Sequence, residues 1–492
     1  MPKENSRPPV LYELNTWVWL HGLGVKYGRK VDFSSVPAEE WDALASLDCD
    51  AVWLMGVWER SPAGREIALD LPDLIAECRR ILPDFTEDDL PGSPFSVKSY
   101  TVDPRLGNLA AARAELASRG LRLILDFVPN HVARDHDWIF KHPEFFVKGD
   151  EQKLKTLPNE YFEANGAVIA CGRDPYFPPW TDTAQLNAFS SKLREAALDT
   201  LRHIAAQCDG VRCDMAMLLL NDVFSKTWGE AAGSIPEAEY WTELINGVRQ
   251  VHRAFLFIAE AYWDLESSLQ QLGFDYCYDK RLYDRLVHDD ARSVRDHLAA
   301  NLNYQNRVIR FLENHDEARA AAVLPPNRLR AAAVAVASLP GAALYYEGEF
   351  CGARIQIPVQ LGRAPDEPCD AELAHFYALL RRCAHEMKSP DALWQVCKAQ
   401  GWPDNQSADQ LLSWTWQDED RRFLVVINYA DAPAQARLHL PWADENTTQW
   451  RLRDLLSGET FERDAAELKR DGLYVARDGW GYHLLTFDVQ QN

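Results

Sequence analysis

Four short segments place polar or charged residues where an apolar run ends. DFVPNH carries Asp126, Asn130 and His131, and GVRCD carries Arg212 and Asp214. FIAEAYW carries Glu260 and Trp263, and FLENHDEAR carries Asn314, His315 and Asp316. Charged side chains are rarely fully buried unless paired, yet Arg212 and Asp214 stand inside the mostly apolar stretch DGVRCDMAMLLL. Side chains alternate along a strand, so Arg212 and Asp214 share one face and Cys213 takes the other. The guanidinium compensates the carboxylate and keeps it ionised, as a nucleophile requires. Glu260 has no cation beside it in sequence, which makes it the better proton donor. A carboxyl group that holds its proton, next to one that stays charged, is the pair that glycosidic bond cleavage needs. Each segment alone has a plainer reading as a cap, a turn or an ordinary polar loop. The function lies in their recurrence at four strand ends.

The elements that must position them alternate. VLYELNTWVWL, DAVWLM, LRLILDFV, DGVRCD, AFLFIAE, FDYCYD, RVIRFLEN and AALYYEG read as strands, each followed by helical patterning that ends with AELAHFYALLRRCAHEM. Eight β-then-α units predict an α/β fold, a (β/α)8 TIM barrel with a parallel sheet inside a ring of helices. An open doubly wound sheet fits less well, because no glycine-rich phosphate turn follows the first strand. Two long excursions, about 56–103 and 131–187, leave strand ends on the face where barrels carry their active sites. From about residue 390 the pattern becomes short strands with turns. The expected organisation is a catalytic barrel over 1–131 and 188–388, a small domain over 132–187 inserted after the third strand, and an all-β sandwich domain over 389–492.

Composition narrows the partners. The net charge of -22 disfavours phosphate backbones and anionic lipid, so no nucleic acid and no membrane partner is expected. No run of 18 apolar residues exists to span a bilayer, and MPKENSRPPVLYELN lacks the apolar stretch of a signal peptide. The ten cysteines are scattered without a CxxC and read as reduced core residues of a cytoplasmic protein.

In these segments the chain resembles the α-amylase superfamily of glycoside hydrolases and transglycosylases. The family pieces D-x-V-x-N-H, G-x-R-x-D, a glutamate ending the fifth strand, and N-H-D occur in order. AQLN at 184–187, VDPRLG at 102–107 and YYEGE at 345–349 match flanking pieces. The resemblance implies that Asp214 is the nucleophile, Glu260 the acid/base, and Asp316 the stabiliser of an oxocarbenium-like transition state. It implies that Arg212 orients Asp214, that His131 and His315 bind sugar hydroxyls, and that Asp126 helps hold that network. The substrate would be an α-glucan or an α-linked oligosaccharide, cleaved with retention and without a cofactor.

Departures bear on the finer reading. The Lys-His pair that often follows the nucleophile is replaced by Met215, Ala216, Met217 and Leu218. Gln185 stands where an aspartate often joins a calcium site; Asn130 matches another ligand of that site and equally suits a backbone hydrogen bond, so structural calcium stays open. Phe95 stands where the family has an aromatic platform, and either stacks on sugar or packs its loop. Transfer to a sugar acceptor, or phosphorolysis, would use the same three carboxylates. A non-catalytic sugar-binding protein on this fold would usually have lost one of them.

Overall fold

The structure, a computed structural model, describes residues 7–443 and 447–489. Residues 1–6 of the N-terminal stretch, and residues 444–446 and 490–492 of the expected C-terminal domain, lie outside the described residues. Eight parallel strands close into a barrel in sequential order: β1 (Val10–Asn15), β2 (Ala51–Met55), β3 (Arg122–Phe127), β4 (Gly210–Cys213), β5 (Leu256–Ala259), β6 (Tyr276–Tyr278), β7 (Val308–Arg310) and β8 (Ala342–Tyr346), which pairs back to β1. Strands such as AVWLM are buried along their whole length, because helices cover the outside and side chains fill the lumen.

One strand is shorter than its apolar run suggests. VLYELNTWVWL does not continue as a strand beyond Asn15. The Asn15 side chain accepts from the Val18 N–H and opens a helix over Thr16–Tyr27. An asparagine at the cap satisfies an orphan helix donor, and a short apolar run cannot by itself distinguish strand from helix.

The two excursions carry small cores of their own. Within 131–187, His131–Ala133 pairs antiparallel with Thr183–Gln185, and Tyr161–Ala164 forms a hairpin with Ala167–Ala170. Val132, Ile139, Phe145, Phe146 and Ile169 pack beneath them. The excursion after β2 pairs Trp58–Arg60 with Val97–Val102 and adds helices Pro62–Leu69 and Pro72–Ile81. Its Ala68, Cys78, Ile81, Leu82 and Leu90 share a core with Ile357 and Leu361 from the loop after β8. Arg363 on that loop also pairs with Asp89 at 2.6 Å and Asp84 at 2.9 Å.

At the C-terminal end, a six-stranded and a three-stranded antiparallel sheet face each other. Leu424 and Val426 point into the space between them, while Phe423, Val425 and Ile427 pack on the barrel side. Both faces of this central strand are covered, which is why RFLVVIN reads as a continuous apolar run. Trp416 ties the sheet to the barrel by donating to the Ser338 carbonyl at 2.7 Å.

The cysteine reading needs correction. Cys351 and Cys369 form a disulfide across the loop after β8, and only the other eight are free thiols. Their separation of 18 residues hid a Cα–Cα distance of 4.4 Å. The cysteines therefore no longer argue for a reducing compartment.

Gly210 opens β4 where an added Cβ would lie 2.7 Å from Leu256 Cβ and 2.9 Å from Ile124 Cδ1. Gly210→Ala is expected to destabilise the fold by about 1–3 kcal/mol, read as a lower denaturation midpoint.

Candidate active site

The carboxylates predicted from three separate strand ends meet around one guanidinium. Arg212 is 1% exposed, at the end of β4, opposite Asp126 on β3 and Ile258 on β5. Its Nη1 lies 2.5 Å from Asp214 Oδ1 and its Nη2 lies 2.8 Å from Glu260 Oε1. Nη2 also lies 3.9 Å from Asp316 Oδ2. Sequence adjacency thus misleads in one respect: the cation is shared with Glu260 rather than reserved for Asp214. Three aromatic faces flank the guanidinium, with ring centres at 5.4 Å for Trp53, 5.2 Å for Phe95 and 5.7 Å for Tyr278.

Above this layer lies a cleft of about 310 Å³, whose lining includes Phe95, His131, Trp180, Asp214, Glu260 and Asp316. A larger hollow of about 520 Å³ beside Trp17 gathers no comparable set, since its Asp89 is paired to Arg363. Asp214 and Glu260 are nearly buried, at 7% and 3% side-chain exposure, while Asp316 is 42% exposed at the cleft mouth.

Burial pushes the Glu260 carboxyl up to about 7; Arg212 opposes the rise and the charges of Asp214 and Asp316 add to it. Glu260 also accepts from the Met215 N–H at 2.6 Å and from the Tyr262 hydroxyl at 2.9 Å. Met215 makes that contact from a left-handed backbone conformation, with φ of 44°. Burial works against ionisation of Asp316, but the His315 imidazole beside it prevails and holds the carboxyl below its ordinary range. His315 is buried, which disfavours its charged form, yet Asp316 and Glu13 on either side raise it well above an ordinary histidine. The arrangement can therefore donate a proton from one carboxyl near neutrality while a second, guanidinium-paired carboxylate stands beside it.

Several expected sugar contacts sit elsewhere. Asp126 is fully buried below the cleft, where it accepts from Trp53 Nε1 at 2.9 Å and from the Gly56 N–H at 2.7 Å. It braces β2 and the start of the excursion after it, and burial lifts its carboxyl to about 6. Arg212 and His315 likewise lie under the cleft surface, as supports of the acids that line it. Trp263 does not line the cleft; it packs edge-on against Tyr176 at 4.9 Å. His131 does line it and packs against Trp180, with ring centres 4.9 Å apart.

The calcium reading is tested by the donors around Asn130. Gln185 Nε2 donates to the Asn130 carbonyl oxygen at 2.9 Å and to its Oδ1 at 3.0 Å. Calcium sites are built from carboxylate and carbonyl oxygens, and here both Asn130 oxygens already accept from the Gln185 amide. Among the described residues no group of three or more His, Cys, Asp or Glu could hold a metal.

Glu13, Trp53, Trp180 and Tyr262 join the site without having been singled out. Glu13 was detectable: a glutamate inside the apolar run VLYEL is the same anomaly as Arg212 inside GVRC. The aromatic residues had no local signal, because tryptophan and tyrosine fit a core equally well.

Replacing Arg212 by methionine would leave Asp214, Glu260 and Asp316 without their shared cation. The expected loss is about 3–5 kcal/mol, largest at alkaline pH and shrinking as pH falls and Glu260 takes up its proton. Urea titrations at pH 5 and pH 8.5 give the comparison.

The comparisons agree with this geometry. The model of the α-amylase catalytic domain matches residues 39–367. The α-amylase MalA of Haloarcula japonica is 25% identical over 363 residues, 69% of this chain and 46% of that protein, so the match spans about half the relative's length. The maltogenic α-amylase AmyB of Thermotoga neapolitana superimposes with a TM-score of 0.70 at 18% identity, covering 100% of both chains. The α-amylase of Geobacillus thermoleovorans does so at 0.67 and 17%, covering 98% of this chain and 99% of that one. The likeness to these structures concerns the fold, whereas the family match spans β2 to β8 and the strand ends that carry Asp126, Asp214, Glu260 and Asp316. The chain belongs to the α-amylase family of glycosidases.

Proposed function

We propose that this glycosidase cleaves α-linked glucosides, α-1,4-glucans or maltooligosaccharides, with retention of configuration through a covalent glycosyl-enzyme. The observation that carries the reading is the sharing of Arg212 by Asp214 and Glu260. One guanidinium touches both carboxyl groups, which keeps them close together at one place in the cleft, as a covalent mechanism requires. In the first step Asp214 attacks the anomeric carbon as its bond to the leaving oxygen breaks. Glu260 gives its proton to that oxygen. In the second step Glu260, now a carboxylate, takes a proton from water; the water oxygen attacks the anomeric carbon and Asp214 departs. Two inversions restore the α configuration. Asp316 stabilises positive charge on the ring in both steps.

The loop after β8, packed against the excursion after β2, supports short substrates and exo action. Its Val359 and Gln360 line the cleft, and the same loop is clamped to the excursion after β2 by Arg363 and by the shared apolar core. One observation favours transfer as a second reading: Met215 lines the cleft beside Glu260, while Met217 is fully buried. An apolar side chain next to the acid/base disfavours water and leaves room for a sugar acceptor. Products from maltotriose separate the readings. Glucose and maltose alone indicate hydrolysis, longer chains indicate transfer, and glucose 1-phosphate formed only with added phosphate indicates phosphorolysis.

Asp214→Asn is expected to lower turnover by roughly 10³-fold or more. Glu260→Gln is expected to lose roughly 10²- to 10⁴-fold on maltotriose, and far less on a nitrophenyl α-glucoside whose leaving group needs no proton. The first-formed sugar, followed by NMR, should be the α anomer; a β product would reject retention.

Glu260 must carry its proton in the free enzyme. Its carboxyl lies at about 7, so kcat/KM is expected to fall as pH rises through that value. A profile flat to pH 9 would remove Glu260 from the acid role.

A further inference from the structure

Glu13 is an acidic residue beneath the site that neither the family motifs nor the proposed mechanism uses. It sits on β1 between Trp53 of β2 and Tyr346 of β8 and is fully buried. Its Oε1 lies 2.5 Å from His315 Nδ1, and its Oε2 has no hydrogen-bond partner. The other ionisable groups facing it are Glu313, Glu347, Tyr278 and Tyr346, none of them a cation. The nearby Arg319 is engaged by Glu313 at 2.7 Å. A buried carboxylate is stable only against a cation or a strong donor, and His315 is the one in reach.

The imidazole is held on three sides. Phe95 stacks on its face with ring centres 5.2 Å apart, Trp53 meets it edge-on at 5.5 Å, and Glu13 fixes Nδ1. The remaining corner is functional. His315 Nε2 lies 3.0 Å from Asp316 Oδ2, but the two are not aligned as a hydrogen bond, and Nε2 is buried without a partner. A charged imidazole this close to Asp316 favours the ionised form of that carboxylate and fixes its place.

We propose that Glu13 is a positioning residue, which anchors His315 Nδ1 so that Nε2–H stands beside Asp316 and holds that carboxylate at the cleft mouth. The proposal rests on the glycosidase reading of the three acids and adds a fourth acid behind them. Glu13 touches no substrate; it acts through the imidazole, fixing its orientation and favouring the imidazolium, in which both Nδ1 and Nε2 carry a proton. Phe95 thereby acquires a definite task as well, as the stacking face that keeps the ring from rotating.

The test uses the full chain with ¹⁵N-labelled histidine, in wild type, E13Q, E13A and H315Q, the last to assign the His315 signals. Glutamine preserves shape and an acceptor oxygen but removes the charge that strengthens the bond. In E13A, kcat on maltotriose is expected to fall by roughly 10- to 100-fold, as when a carboxylate that orients a functional histidine is lost. KM should stay within about threefold, since the interaction acts on the transition state. E13Q should fall in between, and its His315 Nδ1 proton signal should move upfield. E13Q is the deciding variant where E13A does not fold. A wild-type kcat in E13Q overturns the proposal. So does a lower kcat with an unchanged His315 signal, because the effect would then not pass through the imidazole. D214N run alongside separates the two levels: an active D214N removes the glycosidase mechanism itself, whereas an inactive D214N with a fully active E13Q removes only the role of Glu13.

Discussion

A single buried guanidinium sets the terms for the rest of the site. Arg212 lies 1% exposed on the floor of the cleft, within 2.5 Å of Asp214, 2.8 Å of Glu260 and 3.9 Å of Asp316. Three carboxylates from three strands could not converge in a nearly dry space without it. A lysine would present one point of charge, whereas the planar fork reaches Asp214 with one nitrogen and Glu260 with the other. The aromatic faces of Trp53, Phe95 and Tyr278 surround it, so its charge is directed toward the acids rather than toward water. The barrel makes this arrangement possible because consecutive parallel strands end side by side, and the register of β4 against β3 and β5 sets the depth of the arginine.

The long connections then shape what reaches that floor. The excursion after β3 supplies His131 and Trp180 to one side of the cleft. The excursion after β2 supplies Phe95, and its small core merges with the loop after β8 through Leu90, Ile357 and Leu361. The disulfide between Cys351 and Cys369 closes the base of that loop, and Arg363 pins its far side. Val359 and Gln360 are carried between these two anchors. The wall on this side of the cleft is thus a packed structure with its own apolar core and ion pairs.

Much of this was legible in the sequence, for identifiable reasons. Closed parallel barrels leave a coarse trace, since each strand is a short apolar run and each helix a longer amphipathic one, and the eight repeats survive errors at any single boundary. Arg212 and Asp214 were readable because charge inside a core run demands a partner and because strand alternation assigns faces. What escaped depends on contacts distant in sequence. Glu13 and His315 lie 302 positions apart. Cys351 and Cys369 are brought together by a loop with no spacing rule. The helix at Thr16 was hidden because Trp17, Val18, Trp19 and Leu20 suit strand and helix alike, and Asn15 alone decided between them. Asn130 and Asp126 show a subtler limit: their motif pointed to the cleft, while both are buried outside its lining and their hydrogen bonds point into the scaffold.

The balance of charge under the cleft explains why one acid holds its proton. Asp214, Glu260, Asp316 and Glu13 face two cationic groups, Arg212 and the His315 imidazole. His315 lies between Asp316 and Glu13 and is occupied by them. Arg212 is divided between Asp214 and Glu260, so it cannot fully offset both at once. The acids therefore outnumber the compensation in a space with little water, and the surplus is relieved most cheaply by a proton. It settles on Glu260, the 3%-exposed carboxyl that also feels the charges of both Asp214 and Asp316. On this view the acid role follows from a deliberate shortage of positive charge. Adding a cation beside Glu260 would stabilise the fold and remove the proton the reaction requires.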